Sequence, residues 1–155
     1  MIEIKNRKAL YDYTISDTYE AGIVLTGTEI KSIREGKANL KDSYAIIKNG
    51  ECFILGMHIS PYDNGNRFNH DETRTRKLLL HKGEILKIRD KIEIKGYTLV
   101  PIKLYFSKNK AKLLLGIGKG KKVYDKRESL KEKDIKKQIN KNLKLSWKKL
   151  LNIIY

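Results

Sequence analysis

Tyr44-Ala45-Ile46-Ile47-Lys48-Asn49-Gly50-Glu51-Cys52-Phe53-Ile54-Leu55 holds two apolar runs around a two-residue break. Asn-Gly accepts the positive φ of a tight hairpin turn, so the stretch predicts an antiparallel pair, Tyr44–Lys48 with Cys52–Ile59. Similar runs lie upstream at Tyr11–Ile15 and Ala21–Leu25, and downstream at Leu99–Phe106 and Lys112–Ile117. Lys95-Gly96 and Ser107-Lys108-Asn109-Lys110 read as turns between them. Pro101 has no N–H to give to a ladder, which points to an edge strand or a bulge there.

Two helices are expected among these strands. Thr26-Gly27-Thr28-Glu29 has capping-box spacing, and Ile30 and Ile33 follow on one face, so a short helix spans Thr28–Glu35 and stops at Gly36. A second helical region begins near Thr73 and runs towards Ile92; Gly83 interrupts it, while Ile85, Ile88 and Ile92 keep helical spacing. Many short strands with two helices predict a mainly β fold, a small OB-like barrel with flanking short helices and a basic C-terminal tail.

The tail is where the charge collects. Of a net charge of +16 over 155 residues, +9 lies in the 37 residues from Lys119 onward. Composition therefore divides the chain into a body, residues 1–118, and a tail, residues 119–155. Within the tail Ile135, Ile139, Leu143, Trp147, Leu150 and Ile154 recur every three or four positions, an apolar stripe on an otherwise Lys-rich helix. Such a segment has little with which to fold alone and is expected to order on a partner. A solvated surface helix, a membrane-surface helix and an arm entering an RNA groove all fit this pattern. The glycines at 116, 118 and 120 favour the hinged arm.

The same charge balance points to a polyanion, because each phosphate neutralised releases counterions. Nine Tyr against three Phe and one Trp adds stacking surfaces that can also hydrogen-bond, and Tyr11, Tyr13 and Tyr19 follow Asn6-Arg7-Lys8. Catalysis finds no comparable pattern. His58, His70 and His81 have no metal-ligand spacing, Cys52 has no second cysteine to pair with, and no two-carboxylate site stands out, so neither enzyme, metal nor cofactor is expected. The start of the chain lacks a basic stretch followed by an apolar run, and no window approaches the roughly 20 apolar residues of a membrane span. A cytoplasmic location away from membranes is the expectation.

Eight strings occur in an order that resembles the SsrA-binding protein family, also called small protein B. They are Asn6–Ala9, Tyr19–Ile23, Gly27–Arg34, Gly36–Asn39, Asp42–Tyr44, His58–Tyr62, Thr73–Leu80 and Gly116–Arg127. The resemblance runs from about Asn6 to Asp134. It implies an oligonucleotide-binding barrel without enzymatic activity. Such a protein binds the tRNA-like domain of tmRNA (SsrA) and, with elongation factor Tu, brings it as a monomer to a stalled ribosome for trans-translation. The tail, disordered when free, would enter the decoding centre and the empty mRNA channel and become helical there. Composition alone leaves a general ribosome-associated RNA-binding protein as the alternative.

Position by position, the resemblance implies tmRNA-binding roles for Glu20, Leu79 and Lys112, with Asn6, Arg7, Tyr13 and Arg34 on the same surface. Lys112 can meet phosphate, and Leu79 can present an apolar face to a base or sugar. Glu20 repels phosphate, so it must accept from base donors or position nearby cations. In the tail the resemblance implies a hinge at Gly120 and ribosome-binding roles for Lys121, Lys122, Tyr124, Asp125, Lys126 and Arg127. The apolar end, Leu150–Tyr155, departs from the family pattern.

Overall fold

In a computed structural model that describes residues 2–62 and 69–121, the Asn49-Gly50 turn forms as its residues require, with φ of 53° and 75°. In chain order the elements are β1 (Glu3–Lys5), α1 (Arg7–Asp12), β2 (Tyr13–Ile23), α2 (Gly27–Arg34), β3 (Ala38–Asn39), β4 (Tyr44–Lys48), β5 (Glu51–Leu55), β6 (His58–Ile59), β7 (Arg76–Leu79), α3 (Lys82–Ile92), β8 (Tyr97–Ser107) and β9 (Lys110–Gly120). The fold is mainly β, as the spacing of runs and turns predicts.

The main sheet closes on itself. Its order is β1-β8-β4-β5-β7-β2-β9, and β9 pairs back onto β8, so six strands form a ring with β1 added outside it. β8 therefore serves three neighbours. β9 follows it from Tyr97 to Ser107, while β4 meets Leu99 and β1 meets Lys103–Tyr105. The register shifts between Pro101 and Lys103, where one neighbour gives way to the next. Pro101 marks a bulge, which resolves the two options its missing N–H left open. Asn6 secures the junction, its backbone N–H donating to Ile102 O at 2.8 Å and its side-chain amide to Pro101 O and Leu40 O.

Inward-facing Ile54, Leu78, Leu99, Leu113 and Leu115 fill the barrel, each no more than 1% exposed. Ile33 of α2 and Ile88 of α3 join the same core. Each such side chain contributes roughly 1.5–3 kcal/mol by leaving water. Cys52 is buried among them, and burial pushes its thiol up to about 12, so it acts as a small apolar residue.

Four expectations about local structure change. The helix expected from Thr73 begins only at Lys82, and Arg76–Leu79 is a strand. Arg76 and Leu78 point inward while Lys77 and Leu79 point outward, so the period is two, disguised by an inward arginine. Gly83 then sits in the first turn of α3, where it interrupts nothing. Tyr11 belongs to a short helix capped by the Asn6 side chain, which accepts from Ala9 N. Tyr13–Ile23 is one strand with a bulge between Ile15 and Asp17. Finally, the Cys52–Ile59 run divides: β5 ends at Leu55, Gly56 turns with φ of 77°, and β6 pairs with β3 in a separate two-stranded sheet.

β9 carries glycine where β2 crosses closest. A Cβ on Gly118 would lie 2.9 Å from Tyr13 Cβ and 3.1 Å from its Cγ, atoms too near the backbone to move aside. Gly118→Ala is expected to cost about 1–3 kcal/mol, read as a lower urea midpoint with an unchanged slope. An unchanged midpoint would show that β2 and β9 separate more easily than their pairing implies.

Candidate nucleic-acid interface

The outer face of β7 is fixed from behind by a buried ion cluster. Glu29, fully buried on α2, first closes the predicted capping box, accepting from Thr26 N at 2.8 Å. Its carboxylate also accepts from Arg76 Nε at 2.5 Å and from Arg74 Nη2 at 2.6 Å. Arg76, itself fully buried, spends its remaining donors on the carbonyls of Met57, Arg74, Asp71 and Glu72. Burial alone would push the Glu29 carboxyl up; the hydrogen bonds from Arg74, Thr26 N–H and Arg76 outweigh it and hold the group below the usual carboxylate value. The cluster joins α2 to the segment leading into β7 and so sets where Leu79 emerges.

On the outside of the barrel, three strands bring the principal sequence candidates together. Gly22 of β2 pairs with Leu79 of β7 on one side and with Lys112 of β9 on the other. Glu20 lies two residues earlier on β2 and so on the same face. All three line one open depression of about 560 Å³, shared with Leu25, Phe106 and Glu84. Leu79 is 53% exposed despite being apolar, and the missing side chain at Gly22 leaves room for it, since a Cβ there would come 3.3 Å from Leu79 Cβ.

Glu20 is held in place. Its Oε2 accepts from the Tyr105 hydroxyl, which reaches it from β8 across β9, and Tyr105 pairs with Lys112 in the sheet. Burial, the hydrogen bond to Glu20 and the charges of Glu20 and Glu3 push the Tyr105 phenol up to about 12, so it stays a donor. The Arg34 guanidinium stacks over Phe106 at 5.2 Å and lines a neighbouring depression that shares Phe106 and Asn109 with the first. Carboxylate, apolar surface and ammonium thus line one depression, with a guanidinium in the next. Such a set can hold phosphates, bases and sugars.

The remaining candidates lie elsewhere. Tyr13 is seven residues along β2 from Glu20, about 23 Å at roughly 3.3 Å per residue. It and Asn6 line a second, smaller depression with Lys8, Asp42 and Tyr44. Asn6 is 5% exposed and its side-chain bonds are internal, so its visible work is structural. Arg7 is exposed at the start of α1. Gly120 ends β9 opposite Tyr13, and Lys121 is tied to the body, its N–H donating to Asp12 O at 2.9 Å and its ammonium to Leu10 O at 3.3 Å. The strand thus carries Lys119 and Gly120 along with the barrel. Lys122, Tyr124, Asp125, Lys126 and Arg127 lie outside the described residues.

Sequence reasoning passed over Tyr105 and Phe106 as site residues. The excess of Tyr was the available signal, but only the β8–β9 pairing shows which of nine faces Glu20. Two of the three histidines use their rings within the fold: His58 Nε2 lies 2.8 Å from Glu72 Oε2, and His70 bridges Thr28 Oγ1 and Ile59 O at 2.9 Å each. Among the described residues no helix is long and apolar enough to cross a membrane.

The family model for SmpB protein matches residues 3–145, nearly the whole chain. The chain belongs to the SmpB family. SsrA-binding proteins of Staphylococcus aureus strains Newman and USA300 are each 60% identical to it over 143 residues, spanning 92% of this chain and 93% of theirs. A solved structure described as "tmRNA-SmpB: a journey to the center of the bacterial ribosome" superposes with a TM-score of 0.68 at 48% identity, covering 78% of this chain and 85% of that one. Membership of the SmpB family and the closed β ring agree with the OB-like barrel expected from the strand pattern.

Proposed function

We propose that this SmpB-family protein binds the tRNA-like domain of tmRNA with the outer face of β2, β7 and β9 and delivers it to stalled ribosomes. The observation that carries the reading is the convergence of Glu20, Leu79 and Lys112 on one open strip. The names of its relatives, SsrA-binding proteins and a tmRNA–SmpB structure, support the choice of RNA. The protein acts in the cytoplasm as a non-enzymatic monomeric adaptor, alongside elongation factor Tu. Its segment from Lys122 onward occupies the decoding centre and the empty mRNA channel, with Tyr124 stacking on a base and Asp125, Lys126 and Arg127 beside it. A chain ending in 11 Lys and Arg against 4 Asp and Glu over residues 122–155 is well suited to a channel walled by RNA.

Titrating the full-length protein into labelled tRNA-like domain at several salt concentrations tests the binding face. Lys112→Ala is expected to weaken binding and to reduce the slope of log K against log salt by about 1, the signature of one lost phosphate contact. Leu79→Ala is expected to weaken binding by roughly tenfold with the slope unchanged, because it removes apolar contact. Both side chains face solvent, so neither change should move the melting temperature. Parental affinity in both variants would refute the assignment of this face.

A further inference from the structure

A carboxylate in the centre of an RNA-binding strip needs a reason to be there. Phosphate repels it, so Glu20 must either position a nearby cation or accept from an N–H or O–H donor, and among the described residues no cation pairs with it. One of its oxygens accepts from the Tyr105 hydroxyl, and Glu20 makes no other hydrogen bond among the described residues. Glu20 is exposed and lines the depression, so a molecule seated there can reach its second oxygen. Tyr105 is itself held from its own strand: the Lys103 ammonium lies 5.2 Å from its ring centre, and Glu3 of β1 anchors that ammonium at 3.5 Å. β1 runs beside Lys103–Tyr105, just past the register shift in β8.

We propose that Tyr105 is a positioning residue for RNA recognition: its hydroxyl fixes one Glu20 oxygen so that the other accepts a hydrogen bond from an RNA donor, a base N–H or a ribose hydroxyl. This rests on the reading of the β2–β7–β9 face as the binding face. A free glutamate on a strand samples several rotamers and must lose that freedom on docking; the phenol removes much of the loss beforehand. The elevated phenol pKa keeps the donor proton in place throughout the neutral range. Tyr105→Phe keeps the ring, its stacking under Lys103 and its place in the sheet, and removes only the hydroxyl.

The test is a double-mutant cycle on the full chain with labelled tRNA-like domain. Tyr105→Phe is expected to weaken binding about three- to tenfold, the loss of one charge-assisted hydrogen bond used for positioning. The melting temperature and the salt slope should not change, since no phosphate contact is lost. In a Glu20→Ala background the same change should have no effect. Interference mapping identifies the donor: inosine substitution removes guanine amino groups, and 2′-deoxy substitution removes ribose hydroxyls. One nucleotide should interfere with the parent protein and cease to do so with Glu20→Ala.

Equal loss in both backgrounds would overturn the proposal, because Tyr105 would then be touching RNA by itself. Full affinity of Tyr105→Phe beside a weakened Glu20→Ala would overturn it too, leaving the binding face intact. Normal binding by Glu20→Ala, Leu79→Ala and Lys112→Ala together would remove the binding face, and the proposal with it.

Discussion

Glu29→Gln is expected to lower the stability of the barrel by about 3–5 kcal/mol, the usual cost of leaving a buried charge without its partner. Glutamine at this position still accepts from Thr26 N and keeps the capping box, so helix α2 retains its start. It loses the negative charge that faces Arg76, which is fully buried, and Arg74. Urea unfolding should show a lower midpoint with an unchanged slope. The pH dependence has a definite sign. The folded carboxyl ionises below its ordinary value of 4.5, so its contribution is complete above that pH and is lost as pH falls through the folded value. The gap between parent and variant should therefore be widest at neutral pH and narrow in acid. Equal midpoints at pH 7 would mean that the cluster contributes little.

Ending the chain after Lys121 should separate binding from tagging. The barrel is complete at that point, because β9 ends at Gly120 and Lys121 is bonded to Asp12 and Leu10. The truncated protein is expected to keep its preference for the tRNA-like domain and its melting temperature, while peptide tagging of stalled ribosomes falls to background. Overall RNA affinity should weaken most at low salt, since the removed segment carries a large positive excess. A cut at 118 is a poorer experiment, because it removes the pairing of Tyr13 with Gly120 and confounds folding with function. Retained tagging would refute the ribosomal role proposed for the segment, and lost preference for the tRNA-like domain would refute the division of labour.

The parts that could be read beforehand are those whose residues act locally. Asn49-Gly50 allows one kind of turn, and Thr26 with Glu29 forms one kind of cap, so the β4–β5 hairpin and α2 follow from a few adjacent positions. The parts that could not be read depend on distant partners. Arg76 looks like a surface residue until Glu29, 47 positions away, accounts for its burial. That single inward arginine hid the strand β7 and with it the reason Leu79 faces out. Glu20, Leu79 and Lys112 were named on resemblance; their meeting on one face depends on the ladders that flank Gly22. Nothing local marks Tyr105, because only the register of β8 with β9 brings it to Glu20.

The closure of the ring by β9 also governs how the molecule is made. Its two ladders, to β2 and β8, differ greatly in reach: Ser107 meets Lys110 across a tight turn, whereas Tyr13 must wait for Gly120. During synthesis β2 is among the first strands to appear, and it has no partner on that side until nearly all of the barrel has been translated. Until then an open edge invites pairing with other chains, and the late, long loop closure slows folding. A protein whose proposed task is to release stalled ribosomes is thus itself aggregation-prone whenever its own translation stops short of the last strand.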